Sequence, residues 1–156
     1  MTLITNELLE RVIGEAQASP RKRKNLNFHP SDTSRCNRLL NALEPGTYIR
    51  PHRHLDPEKE ELMVLLRGSM GMIFFDDAGN VTETALLAIG GNVFGVDIPS
   101  GIYHSLVCLE PGTVFLEAKA GPYRPLLPEE LASWSPAEQE PAAAAYCSEL
   151  ERLFIN

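Results

Sequence analysis

Apolar positions along this chain keep two different periods, and the change of period divides it. Near the start, Leu8, Leu9, Val12, Ile13 and Ala16 recur at the spacing that lays one stripe along an α-helix. Thr5 or Asn6 stands ready to cap that helix, and Ser19-Pro20 ends it. A helix with a single apolar stripe must pack on something. Asn25, Asn27 and His29 then alternate with Leu26 and Phe28, the period of two expected of a short strand. From about residue 34 to 120, short apolar or alternating runs follow one another. They are broken by Glu44-Pro45-Gly46, Asp76-Asp77-Ala78-Gly79-Asn80, Gly90-Gly91, Pro99-Ser100-Gly101 and Pro111-Gly112. This pattern predicts strands over 35–43, 47–54, 61–67, 69–75, 81–88, 93–98, 103–109 and 113–119, with the Asp76 to Asn80 stretch as a hairpin turn. Many short strands between regular turns imply an antiparallel sandwich or barrel rather than βαβ units.

After Gly121-Pro122 the helical period returns. Ser135-Pro136-Ala137-Glu138 combines a cap residue, a proline for the first helical position and a glutamate three residues on. Ala142 to Ala145, Tyr146, Leu150, Leu153 and Phe154 continue an amphipathic helix, with Pro141 as a kink. The expected organisation is a helix and extended segment over 1–33, a β core over 34–121 and a helical extension over 122–156, within one structural domain.

Composition changes this picture little. A chain of 156 residues suits one domain, and a domain of that size buries roughly 70% of its unfolded surface. Its 44% hydrophobic and 22% charged residues are ordinary for a globular protein. No apolar run approaches the ~20 residues of a membrane span. The opening MTLITNELLERV mixes acids with apolar residues and shows no cleavable signal. The expectation is a cytoplasmic protein with no membrane partner. Cys36, Cys108 and Cys147 are far apart and odd in number, so neither a disulfide framework nor a zinc ribbon is indicated.

The net charge of −7 is unevenly spread: residues 1–54 carry nine Lys/Arg against five Asp/Glu, and residues 55–156 carry five against sixteen. The basic excess centres on Arg21-Lys22-Arg23-Lys24, without the further basic stretches and interleaved aromatics of a nucleic-acid surface. It reads as a solvated or substrate-facing turn, and no nucleic-acid partner is expected.

Strand periodicity puts His52 and His54 on one face with Tyr48 and Arg50 beside them, and two imidazoles at that spacing can converge on one metal ion. Fifty residues on, Pro99-Ser100-Gly101-Ile102-Tyr103-His104 sets a third histidine at the start of a strand, with Leu106 and Cys108 sharing its face. Taken singly, the first pair reads equally as exposed imidazoles beside a charged turn, and His104 as a satisfied core residue.

Together these segments resemble the cupin superfamily. Gly46 is followed after five residues by His52-Arg53-His54, and Glu61 is followed after six by Gly68. Pro99, Gly101 and His104 match the second cupin motif. Two positions depart from the pattern. The gap from His54 to Glu61 is six residues, where three or four are usual, and Cys108 stands where an asparagine is often found. The segments "SPRKRKNLNFH", "RLLNALEPGTYIRPHRH", "VLLRGSMGMIFFDDAGN" and "GVDIPSGIYHSLVCLEPGTVFLEAKAGPY" are similar to the WbuC family of cupin-fold metalloproteins, encoded among bacterial surface-polysaccharide genes.

The resemblance implies a small antiparallel β-barrel or jelly roll with helices at both ends. Its metal would be held by His52, His54, Glu61 and His104. Glu58 and Glu60 remain alternatives to Glu61: Glu58 stands at the usual three-residue gap after His54, and parity does not separate Glu60 from Glu61 because both faces of residues 62–66 are apolar. Three imidazoles and one carboxylate suit one divalent transition-metal ion: zinc, iron, manganese or nickel, with copper also compatible. Tyr48, Arg50, Asn25, Asn27 and His29 are the candidate substrate-binding residues, with Lys119 and Tyr103 behind them. The resemblance leaves the reaction unassigned, and the ligand set is compatible with a metal-dependent isomerase, epimerase or oxygenase for a small polar substrate such as a sugar or sugar nucleotide. The alternatives are a non-enzymatic metal-dependent binding or sensor protein, and an interaction module whose basic turn binds an anionic partner. The amphipathic first helix and an unpaired strand near residues 25–29 point to a homodimer.

Overall fold

A computed structural model describes residues 1–155. The first helix, α1 (Asn6–Gln17), is capped by Thr5, whose Oγ1 accepts a hydrogen bond from the Leu8 N–H at 3.3 Å. Eight strands follow: β1 (Arg23–Asn27), β2 (Cys36–Leu43), β3 (Glu61–Arg67), β4 (Ser69–Phe75), β5 (Val81–Ala88), β6 (Gly95–Ile98), β7 (Tyr103–Cys108) and β8 (Thr113–Ala120). Helix α2 (Ala142–Glu151) closes the described chain with a short 3-10 turn behind it.

The strands form two antiparallel sheets, one of five in the order β1-β2-β8-β3-β6 and one of three in the order β5-β4-β7. Their inner faces meet in one core. Leu43, Met63, Leu65 and Phe115 of the larger sheet pack against Met70, Met72, Leu87, Leu106 and Cys108 of the smaller. Full burial of each such aliphatic or aromatic side chain stabilises by about 1.5–3 kcal/mol. Gly68 carries the chain from one sheet to the other. Its φ of +78° and the 2.9 Å that would separate a Cβ from the Thr113 Cα leave room only for glycine.

Both outer faces are covered by the helical ends. On the larger sheet, Leu9, Val12, Ile13 and Ala16 of α1 bury against Leu40, Ala42 and Val114. On the smaller, Leu150 and Ala132 bury against Ile73, Phe75, Tyr103 and Val107. The fold is thus a jelly-roll sandwich between helices, and its two sheets do not join into the closed barrel that was the other form expected.

Two local expectations fail. Seven of the eight predicted core strands form, but 47–54 is extended chain that meets the ladder only at His52. Pro51 has no N–H to give. Further, His52 is held between His104 on one side and Leu131 of the C-terminal segment on the other. Secondly, Ser135 to Glu138 starts no helix. The Ser135 hydroxyl donates to the Ala132 carbonyl at 3.0 Å, Glu138 pairs with Arg21 and Arg23 at 2.7 and 2.8 Å, and α2 begins only after Pro141. Those same pairs, with Lys24 on Glu15 at 3.1 Å and Lys22 on the Pro45 carbonyl at 3.1 Å, tie down the basic run, whose Arg21, Lys22 and Lys24 are exposed as a solvated turn requires.

Candidate metal centre

Cross-strand register sets the floor of the site. On β8, Phe115, Glu117 and Lys119 alternate onto the inner face. Lys119 stands opposite Asn37 on β2 and opposite Glu61 on β3, while Glu117 stands opposite Leu39 and Met63. The inner face of the larger sheet therefore changes, within two residues along each strand, from an apolar core to a row of Asn37, Lys119 and Glu61. Neighbouring β1 adds Asn25, opposite Asn41, and Asn27, opposite Leu39, to the same face.

The histidines come from the other side. His104 opens β7 in the smaller sheet, and its backbone exchanges two hydrogen bonds with His52, at 3.0 and 2.9 Å. The turn before it is tied to the first histidine pair: the Gly101 N–H donates to the His54 carbonyl at 2.7 Å. Gly101 has φ +83°, a left-handed conformation that glycine adopts without strain.

The ligand atoms of His52, His54 and Glu61 lie within 4.8 Å of one another. His54 Nε2 is 3.0 Å from Glu61 Oε1, and His104 Nε2 is 2.9 Å from Glu61 Oε2. Ring centroids of His52 and His104 are 4.6 Å apart. Glu61 is 2% exposed, whereas Glu58 and Glu60 are exposed and turned away from the cluster's burial. The long loop that separates His54 from Glu61 folds as a turn, with the Lys59 N–H on the Asp56 carbonyl at 2.9 Å. Its six residues thus still deliver a carboxylate to the histidines.

Backbone contacts define which imidazole nitrogens face inward. His52 Nδ1 lies 3.0 Å from the Arg50 carbonyl and His104 Nδ1 2.9 Å from the Ile102 carbonyl. A carbonyl only accepts, so each Nδ1 carries the proton and each Nε2 holds a lone pair. Among the described residues, His104 Nε2 and Glu61 Oε2 are both buried and without a hydrogen-bond partner, despite their 2.9 Å approach. With the His104 ring neutral, two acceptors face each other in a buried place, an arrangement that a cation between them, a metal ion or a proton on the ring, relieves. The donor set, two or three imidazole nitrogens with one carboxylate, fits a divalent transition metal.

The charges follow from burial and neighbours. Burial, helped by the adjacent His104, pulls His52 down to about 3, so its ring is neutral and free to ligate at ordinary pH. Burial alone would raise Glu61. The contacts with His104 and His54 and the charge of Lys119 outweigh it and hold the carboxyl well below its usual range. Lys119 Nζ lies 2.6 Å from Glu61 Oε1 and 2.7 Å from Glu117 Oε1. Burial opposes its charge, but the two carboxylates raise its pKa above the ordinary lysine value.

Two cavities that share part of their lining adjoin this cluster. An inner one of about 150 Å³ reaches His52, Glu61 and His104. An outer one of about 350 Å³ is lined by Asn25, Asn27, His29, Asn37 and Tyr123 among others. Asn25, Glu117 and Lys119 line both.

Tyr48 and Arg50 are placed elsewhere. The Tyr48 hydroxyl donates to the Pro136 carbonyl at 2.9 Å, and its ring packs edge-on to Tyr146 with 6.1 Å between centroids. Arg50 Nη2 donates to the Ala132 carbonyl at 2.7 Å. Both clamp the C-terminal segment, because residues 47–51 do not keep the strand alternation that would aim them with the histidines. Tyr103 lies on the outer face of the smaller sheet, beneath the Arg53 guanidinium at 4.3 Å. Glu117 and Asn41 were missed in the sequence reading. Their signal was there: in Thr113 to Ala120, charged residues 117 and 119 share the parity of Phe115, so they fall on a face that is otherwise core.

The comparisons with known proteins agree with this architecture. No curated protein matches the chain in sequence. Among solved structures, KdgF from Halomonas sp. is similar at 15% identity and a TM-score of 0.52, over 68% of this chain and 84% of that one. SPY1581, a conserved protein of unknown function from Streptococcus pyogenes, is similar at 16% identity and a TM-score of 0.50, over 68% and 80%. Oxalate decarboxylase OxdC of Bacillus subtilis gives 22% identity and a TM-score of 0.49, over 65% of this chain and 26% of its own. Likeness at this level shows the fold, which is that of the cupins. Residues 4–87 match the family described as a domain of unknown function, DUF6016. That match spans more than half of the chain, so the protein belongs to this family.

Proposed function

We propose that the protein is a metal-dependent cupin enzyme acting on a small polar substrate such as a sugar or sugar nucleotide, in the cytoplasm. The observation that carries this reading is the buried, mutually unsatisfied pair of His104 Nε2 and Glu61 Oε2, set beside two further imidazoles at the floor of a polar cavity. His52, His54, His104 and Glu61 would hold the ion. When bound it supplies a Lewis acid that polarises a carbonyl or hydroxyl, or a site that activates water or dioxygen. The Arg50 and Ile102 carbonyls fix the ring orientations of His52 and His104. Lys119 balances the charge of Glu61 and Glu117 in the lining that the two cavities share, where the reacting end of a substrate would lie. Similarity of four sequence segments to the WbuC family supports a role in building surface polysaccharide, O-antigen included.

Elemental analysis of protein purified without chelator is expected to find about one transition-metal ion per chain, and His52→Ala to abolish it. Absence of metal under every reconstitution would sink the reading. Turnover of a sugar or sugar nucleotide by the loaded protein, lost in His104→Ala, identifies an enzyme. Binding of the same compound with no product would make it a metal-dependent binding protein instead.

A further inference from the structure

The lining of the outer cavity bears on which sugar the site can take, and so rests on the metal-centred reading above. Around this cavity of about 350 Å³, at the small end of the ~300–1,000 Å³ typical of ligand pockets, one lysine faces two carboxylates, Asp32 and Glu117. That lysine is Lys119, already held at 2.6 and 2.7 Å by Glu61 and Glu117. Arg23 is the other cation lining either cavity. It is committed to Glu138 at 2.8 Å and to the Tyr48 carbonyl at 2.9 Å. No cation lining the cavities is thus left unpaired to meet a phosphate, which is bound by free arginine, lysine or a helix N-terminus.

What the cavity offers instead is neutral. The amides of Asn25, Asn27 and Asn37 each present both a donor and an acceptor, the complement of a hydroxyl group, which is also both. His29 is engaged at Nδ1 by the Arg38 backbone at 3.1 Å, which leaves Nε2 for a ligand. Leu39 and the half-exposed ring of Tyr123 add apolar surface for the carbon-bound hydrogens of a ring.

We infer that the outer cavity binds a neutral, hydroxyl-rich ring of monosaccharide size, with one edge beside the Lys119–Glu117 pair, and that it excludes phosphorylated and nucleotide-linked sugars. A phosphate here would stand beside Asp32 and Glu117 with no free cation, and such like-charge contacts cost several kcal/mol.

Binding is followed by amide shifts in 15N-labelled, metal-depleted protein, because these residues are not metal ligands. The probes are methyl glycosides of neutral hexoses and 6-deoxyhexoses, galactose 1-phosphate and UDP-galactose. At least one neutral glycoside is expected to shift the side-chain amides of Asn25 and Asn27, with the two phosphorylated probes at least about tenfold weaker. Asn27→Leu, on an exposed edge strand, should weaken the neutral glycoside by a similar factor without unfolding the protein. Asp32→Lys should restore binding of galactose 1-phosphate. Equal or tighter binding of either phosphorylated probe by the unmodified protein overturns the inference, as does the absence of shifts with every neutral glycoside. Metal content of the reloaded preparations separates the two readings. Metal without glycoside binding overturns this inference alone, and glycoside binding without metal overturns the metal-dependent function alone.

Discussion

Glu61 stands one residue from Glu60 and three from Glu58, yet it alone of the three is buried beside the histidines. Elemental analysis of three variants tests that difference. Glu61→Gln is expected to lose most of its metal, because an amide replaces the anionic donor, while Glu58→Gln and Glu60→Gln keep about one ion per chain. A second buried carboxylate works through hydrogen bonds. Glu130, 1% exposed, accepts from the Leu55 N–H at 3.0 Å and the Leu127 N–H at 2.8 Å, and so ties the loop after His54 to the C-terminal segment. Burial raises its pKa, but those N–H groups and Arg124 lower it by more. A carboxyl held below its unfolded value stabilises the fold above about pH 4.3, and that stability is lost as pH falls through the folded value. Glu130→Gln is therefore expected to cost about 1–3 kcal/mol at pH 7 and to flatten the acid limb of stability against pH, measured by urea unfolding. An acid limb as steep as the parent's would refute the assignment.

The element that the site depends on most is one that local period does not reveal. His52 lies between β7 and residues 130–132, with hydrogen bonds from His52 N–H to the His104 carbonyl at 3.0 Å and from Ala132 N–H to the Pro51 carbonyl at 3.0 Å. The C-terminal segment thus serves as the outer partner of the metal-binding stretch, and α2 holds it down through Leu150. Leu150→Ala is expected to destabilise by about 2–5 kcal/mol and to weaken metal retention as well, although the residue touches no ligand. Unchanged metal affinity in that variant, measured by competition with a chelator, would show that the segment only covers the sheet. The strands themselves were legible. Short apolar or alternating runs between turn residues over 61–67, 69–75 and 113–119 mark β3, β4 and β8 to within a residue. The 47–54 stretch alternates too, but Tyr48, Arg50 and Pro51 spend their hydrogen-bonding and packing on non-ladder partners.

For the whole molecule, the edges of the larger sheet matter most. β1 and β6 are its end strands, and Leu62, Val93 and Phe94 stand exposed near the β6 edge at 45%, 43% and 60%. Open edges with apolar side chains tend to be covered. Light scattering is expected to report a homodimer, and a monomer at micromolar concentration would refute this. No helix among the described residues is long and apolar enough to cross a membrane.

By itself, the sequence determined what short-range spacing can encode. The pattern of apolar residues specified the strands and the stripe of α1, while His52-Arg53-His54 and Pro99 to His104 marked three imidazoles as candidate metal ligands. Tertiary structure alone decided which glutamate joins them, that Tyr48 and Arg50 turn to the C-terminal segment, and that Lys119 and Glu117 line both cavities. The reason is physical. Alternation fixes the face of a residue within its own strand, but contact across strands depends on register, and that is set by turns and by packing of the whole sandwich.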